Sequence, residues 1–301
     1  MGTGEGGRED SSVNKWHLIV DVAKCSGCGN CQLTVKDEHN GNEFPGYAAP
    51  QPPLGHNWLK VDRHVRGNGS MLDVTHVPKM CNHCDDAPCV AAARNGAAYK
   101  RPDGITIIDP VKAKGQRQIA EACPYGVVSW NEDAQIPQIW IFDAHLLDQG
   151  WPSPRIAQVC PTSAIEAIKC DDGVFASRVA AENLTTLPAG VQTKPRVYYR
   201  NLSRVTDCFL GGNICAADES GQIENCEGAK VELSIDGTYV GACMTDGFGD
   251  FKFDGLPPRA TYRLSVGTVN GRAESFQGVL EGSRNVGSLF IKRTTTNSDM
   301  K

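Results

Sequence analysis

Short apolar runs broken by turn residues fill this chain, and their character changes after Cys160. Residues 16–22 (WHLIVDV) are a near-continuous apolar run, which predicts a buried strand entering a cysteine loop. Residues 105–108, followed by Asp109 and Pro110, predict a second such strand before a polar segment. Residues 116–122 have helix-forming composition and stop at Cys123-Pro124. Strand, cysteine loop, helix and Cys-Pro therefore occur as a module that appears twice.

Beyond Cys160 a helix is expected over residues 174–183, then Pro188, Gly190 and an extended segment over residues 194–199. From about residue 226 the runs alternate with period two, as in Lys230–Ile235 and residues 262–266. Turn signals separate them at Asp236-Gly237, Asp246-Gly247, Asp254-Gly255 and Asn270-Gly271. Short strands at this spacing predict a small β-sandwich. The whole reads as an α+β chain: a tail rich in Gly, Glu and Ser over residues 1–14, a cysteine domain over 15–165, a linker, helix and docking segment over 166–205, the sandwich over 206–293, and a polar tail over 294–301. Within the first domain, residues 36–80 form a Pro/Gly-containing insertion (Phe44-Pro45-Gly46-Tyr47, then Pro50 to Gly55). It is too long for a turn and serves either as functional surface or as a solvated cover.

Composition narrows the function. The 301 residues carry a net charge of −5 and a pI near 5.8, so there is no basic surplus for neutralising phosphates, and neither nucleic acid nor an anionic membrane surface is an expected partner. No stretch reaches the roughly 20 apolar residues of a membrane-spanning helix. The opening segment lacks the charge order and apolar length of a secretory signal, and it has no twin arginine, so a cytoplasmic location is expected. No Walker loop, Rossmann glycine fingerprint, zinc-protease motif or nucleophile–base pair is present, which makes catalysis by this polypeptide alone unexpected.

The thirteen cysteines carry the chemistry. Cys25, Cys28 and Cys31 form one close triad, Cys81, Cys84 and Cys89 a second, and Cys123 and Cys160 are singletons each followed by proline. A short loop can wrap only three corners of an iron–sulfur cubane, and the fourth thiolate comes from a distant Cys-Pro. Two triads and two singletons thus make two four-thiolate sets, enough for two [4Fe-4S] clusters. Zinc is the alternative, but zinc motifs use two pairs, whereas each pair here gains a third cysteine. Spacing alone does not say which singleton serves which triad. The simpler arrangement nests Cys123 with the second triad inside Cys160 with the first. His83, within Cys81-Asn82-His83-Cys84, is expected beside a cluster or as a hydrogen-bond donor to a sulfide rather than as a ligand. Cys170, Cys208, Cys215, Cys226 and Cys243 have no cluster spacing and are expected to be free thiols.

These motifs, with Ala122-Cys-Pro-Tyr-Gly126, resemble the iron–sulfur subunits of dimethyl sulfoxide reductase family molybdopterin enzymes, and within them the small subunits of pyrogallol–phloroglucinol transhydroxylases. Supporting stretches include Asp37-Glu38-His39, Asp103-Gly-Ile105, Ala144-His-Leu-Leu-Asp148 and Lys194-Pro-Arg-Val-Tyr-Tyr199. Glu227-Gly-Ala-Lys-Val231 and Gly249-Asp-Phe-Lys-Phe253 resemble a C-terminal sandwich of Cna-B or prealbumin type. The resemblance implies a ferredoxin-like domain of two half-modules and supports the nested ligand sets. It also implies losses. A cluster of the family would place cysteines at Val35, Trp140, Asp143 and Ile156, and another would place them around Ala93 and residues 112–120. The apolar side chains at three of the first four positions suit a packed former cavity between the two remaining clusters.

The implied function is that of a small subunit docked on a large catalytic chain, which carries the molybdopterin and acts on hydroxylated aromatics by transhydroxylation. Such a reaction has no net redox change and tolerates an interrupted electron path. The alternative is an electron-transfer subunit of a hydroxylase, dehydroxylase or other net-redox molybdopterin enzyme.

Overall fold

A computed structural model describes residues 13–188, 190–217, 221–267 and 273–292. Most of the expected N-terminal tail, the C-terminal tail and the Asn270-Gly271 turn lie outside the described residues. The chain divides into two units, the first comprising Met1–Arg63 and His76–Leu202, the second His64–Thr75 and Ser203–Lys301.

The first unit begins with β1 (Lys15–Asp21), whose side chains after Lys15 are all buried, as the apolar run requires. A loop leads to α1 (Asn30–His39), and the long hairpin β2 (Leu59–Asn68) and β3 (Met71–Met80) follows. Next come α2 (Pro88–Ala92), the pair β4 (Ala98–Lys100) and β5 (Thr106–Ile108), α3 (Gln118–Glu121), the pair β6 (Ser129–Asn131) and β7 (Ile136–Gln138), α4 (Ala144–Leu147) and α5 (Arg155–Gln158). The unit closes with β8 (Ile165–Cys170), α6 (Asp172–Ala181) and β9 (Val197–Arg200).

The insertion over residues 36–80 is more ordered than its Pro/Gly content suggests. It completes α1 and supplies the β2–β3 hairpin, whose outer end, His64–Thr75, falls in the second unit. Residues 166–205, expected as a linker with a helix, contribute to the sheet of the first unit. β1 lies in its middle, antiparallel to β8 and parallel to β9. α6 is capped by Asp171, whose carboxylate accepts from the N–H groups of Gly173 and Val174. Its Phe175 packs with Ile19 and Leu184.

Among the described residues the second unit contains, besides the outer end of the β2–β3 hairpin, α7 (Ser203–Thr206) and the strands β10 (Cys208–Ala217), β11 (Ile223–Asn225), β12 (Lys230–Ile235), β13 (Thr238–Met244), β14 (Asp250–Leu256), β15 (Ala260–Gly267), β16 (Ala273–Leu280) and β17 (Arg284–Lys292). One sheet sets β11, β14 and β17 against β10, and the other runs β13-β12-β15-β16. A shared apolar core includes Leu210 and Ile214 from the first sheet and Val231, Leu233, Leu264 and Val266 from the second. Asp236-Gly237 forms the expected two-residue hairpin turn, with φ of 49° and 82°. Asp254-Gly255 does not make a turn. It lies inside β14, where the register against β10 shifts, and Gly255 at φ 72° takes up the extra residue as a bulge.

Candidate metal centres

β1 delivers the chain to the first cysteine loop, and the carbonyl of Asp21 accepts from the N–H groups of Lys24 and Cys25 at 3.2 Å each. Gly27 and Gly29 follow at φ 72° and 77°, where side-chain-bearing residues are strained. A Cβ on Gly27 would also stand 2.5 Å from the His76 ring. The loop then enters α1, whose buried stripe is Cys31, Val35 and His39, one residue per turn. Far along the sequence α5 ends just before Cys160, whose sulfur accepts from the Ala164 N–H at 3.2 Å.

Cys25, Cys28, Cys31 and Cys160 line one cavity. The thiols of Cys25 and Cys31 each feel the charge of Cys160 and of Cys28. Burial pushes the Cys31 thiol up to about 12. At Cys160 burial also opposes ionisation, but bonds from Thr162, Ala164 and Ile165 outweigh it and lower the pKa, favouring the thiolate that binds metal.

The second set is more deeply buried. β3 ends at Met80, one residue before Cys81, Pro88 starts α2 so that Cys89 faces inward, and Cys123 follows α3. The Cys81 thiol interacts with Cys89, Cys84 and Cys123, and Cys89 in turn with Cys123 and Cys84. Desolvation raises Cys81 strongly and pushes Cys84 and Cys89 to about 11. Four thiols thus gather in each of two places, and each gathering is one triad with one singleton in the nested order.

His83, between two of these cysteines, adopts φ 45°. Its Nδ1 accepts from the Thr106 N–H at 3.0 Å, so the proton sits on Nε2. That Nε2–H is buried without a protein partner, as are both polar atoms of the Asn82 amide. Both residues lie in the loop between Cys81 and Cys84, and their two orphaned donors, the His83 Nε2–H and the Asn82 amide N–H, suit a group that brings its own acceptors, as the sulfides of a cluster do. The thiol sets fit less well to one ion: among the described residues no group of three or more His, Cys, Asp or Glu side chains is disposed to hold a single metal. No disulfide joins any of the cysteines. Cys208, Cys215, Cys226 and Cys243 belong to the second unit.

The positions read as lost ligands are filled. Val35, Trp140, Asp143 and Ile156 are at most 2% exposed. Trp140 stacks on Phe142 at 4.9 Å between ring centroids, and His83 meets both rings edge-on. Asp143 accepts from the Trp140 indole N–H at 3.0 Å and the Arg155 N–H at 2.7 Å, so its carboxylate is already engaged. Around Ala93 and residues 112–120, Gln116 ties the two loops together, accepting from the Arg94 N–H at 2.8 Å and donating to the carbonyls of Arg94 and Lys112.

The sequence did not point to the segment that covers the second cysteine loop. Asp85 and Asp86 donate backbone N–H bonds to the carbonyls of Lys194 and Thr193 at 2.9 and 3.1 Å, and the Arg196 N–H donates to Asn82 at 2.8 Å. The Arg196 guanidinium, 3% exposed, bridges Asp85 and Asp172. Except for the Arg196–Asp172 pair, 24 positions apart, these bonds join residues more than a hundred positions apart, so no local pattern announces them.

Comparison with known proteins bears on these sites. Residues 72–169 match the 4Fe-4S dicluster domain, a ferredoxin-like iron–sulfur family. The pyrogallol hydroxytransferase small subunit of Pelobacter acidigallici is 41% identical over 93% of this chain and all of its own length. The arsenate respiratory reductase iron–sulfur subunit of Shewanella sp. is 34% identical over 46% of this chain and 53% of its own. A tetrathionate reductase subunit of Salmonella typhimurium is 30% identical over 67% of this chain and 77% of its own. The chain belongs to the family of iron–sulfur subunits of dimethyl sulfoxide reductase-type molybdopterin enzymes, together with the transhydroxylase small subunit.

Proposed function

We propose that this protein is the small subunit of a molybdopterin enzyme of the transhydroxylase kind and holds two [4Fe-4S] clusters, one on Cys25, Cys28, Cys31 and Cys160, the other on Cys81, Cys84, Cys89 and Cys123. The observation that carries the reading is the gathering of four thiols in each of two places, with Trp140, Asp143, Val35 and Ile156 packed where a further set would be. Such clusters, when bound, take up and give back single electrons at a potential tuned by their surroundings. The chain's own part is to hold the thiolates, exclude water from the second site and fix donors such as His83 near the sulfurs.

The catalytic partner is a large chain carrying the molybdopterin, and its substrates are hydroxylated aromatics. Likeness to the pyrogallol hydroxytransferase small subunit over nearly the whole chain supports this. The two sheets around one core in the second unit support a sandwich of Cna-B or prealbumin type. No helix among the described residues is long and apolar enough to cross a membrane. A cytoplasmic location is part of the proposal.

The test is native mass analysis of the purified complex with iron and acid-labile sulfide determination. A large partner and two clusters' worth of iron and sulfide on this chain support the reading. A stable monomer, zinc in place of iron, or iron for a third cluster overturns it. Reduction of the complex by an artificial donor separates the transhydroxylase role from net electron transfer: fast equilibration of both clusters with the molybdenum centre favours the latter.

A further inference from the structure

The first cysteine set is the more open of the two. Cys28 is exposed and Cys25 and Cys160 are half-buried, whereas in the second set Cys123 is half-buried and the other three are buried. An open set needs something besides burial to keep its loop closed on a cluster. The carbonyl of Asp21 fixes the loop at Cys25, and α1 fixes it at Gly29, whose carbonyl accepts from the Leu33 N–H at 2.9 Å. Between those bonds the loop leans on the β2–β3 hairpin. Val61 of β2 and Pro78 of β3 wall the cavity that the four cysteines line. His76, on the same face of β3 as Pro78, lies against Gly27.

The imidazole meets Gly27 with its face. A Cβ on Gly27 would stand 2.7 Å from His76 Cγ, 2.5 Å from Cδ2 and 2.6 Å from Nε2. Three consecutive ring atoms at nearly equal distance put that point above the ring plane, since an edge-on ring would bring one atom near and leave its neighbours farther off. A ligating imidazole aims a nitrogen at its metal instead. The geometry therefore makes His76 a packing partner of the loop, and a glycine at φ 72° lets the two come this close. The strand beneath is firmly seated: Thr75 and Val77 are 2% and 1% exposed, and the Tyr199 hydroxyl donates to the Pro78 carbonyl at 2.9 Å.

We propose that His76 is a positioning residue for the first cluster: its ring face clamps Gly27 and so holds Cys25 and Cys28, which precede and follow that glycine, at their corners, and the more open cluster keeps its iron. This rests on the two-cluster reading above, and the experiment separates the two. The purified complex is incubated anaerobically with an iron chelator at one pH and then reduced, and paramagnetic resonance follows the two clusters, each assigned by its absence in Cys160→Ser or Cys123→Ser. In His76→Ala the signal of the first cluster is expected to decay several-fold faster than in the natural complex, with the second unchanged. His76→Phe, which keeps a flat face and carries no nitrogen, is expected to restore the natural rate. Unchanged decay in His76→Ala, or equal acceleration of both clusters, overturns the proposal. Fast decay in His76→Phe also overturns it, because the ring nitrogens and not the ring face would then be at work. If His76→Ala does not assemble, His76→Leu is judged by the same criteria. A single cluster, or zinc, in the natural complex sinks the two-cluster reading before any variant is compared.

Discussion

The indole N–H of Trp140 donates to Asp143 Oδ1 at 3.0 Å, and both side chains are cut off from water. A buried carboxylate needs every donor it has. Trp140→Phe removes one and is expected to cost about 1–3 kcal/mol. Trp140→Ala adds a large cavity and is expected to cost about 3–5 kcal/mol. Urea denaturation with iron analysis checks this: stability falls while iron content holds. Loss of iron from Trp140→Phe would contradict the packing account of this position.

The ligand sets predict separable losses. Cys160→Ser is expected to abolish the cluster of the first triad and spare the other, and Cys123→Ser to do the reverse. Spectra of each variant, with iron counts, decide it. If Cys160→Ser removed the cluster of Cys81, Cys84 and Cys89, the nested assignment would be wrong.

Arg196 is almost fully buried between Asp85 and Asp172. Arg196→Met removes their shared cation, but Asp85 and Asp172 are 33% and 53% exposed and keep Lys100 and Lys15 as partners, so a loss of about 1–3 kcal/mol is expected. Arg196→Lys keeps the charge but not the planar fork, so partial loss is expected. Thermal unfolding ranks the three proteins, and equal midpoints would show that the network adds nothing.

His17 stacks on Phe175 at 3.7 Å between ring centroids, and burial, helped by the nearby Arg196 charge, holds its pKa down to about 4 against the opposing pull of Asp172 and Asp85. The neutral ring is the folded form. Below the unfolded value near 6.5 the unfolded chain takes a proton that the folded one refuses, so stability falls as pH drops from about 6.5 to 4. The full drop is about 3 kcal/mol, from about 1.4 kcal/mol per unit of pKa difference. Denaturant midpoints over this range should slope for the natural protein and flatten in His17→Gln. The same slope in both would assign the effect to other groups.

Much of this was legible in advance, for particular reasons. β1 is a continuous apolar run because it sits between two strands, and the alternation in β15 leaves its inward residues buried and the others facing out. Cysteine spacing revealed the triads because one loop must wrap three corners. The same dipeptide misled at Asp254-Gly255 and not at Asp236-Gly237, since a residue tolerant of positive φ serves a bulge as well as a turn. The β2–β3 hairpin gave little signal because most of its residues are exposed or only partly buried and Gly67, Gly69 and Pro78 interrupt its pattern. Arg196 was invisible, as its bond to Asp85 joins residues 111 positions apart.

The hairpin tip has one more implication. Arg66 donates to Asp73, to Asp254 and to the Asp207 carbonyl, and Gly67, at φ 95°, leaves no room for a Cβ between Met71 and Phe209. The strands after residue 203 therefore share their fold with a stretch encoded some 130 positions earlier. They are not a detachable appendage: a fragment cut there would be expressed with a piece missing, and any transplant to another scaffold has to carry both stretches of the gene together.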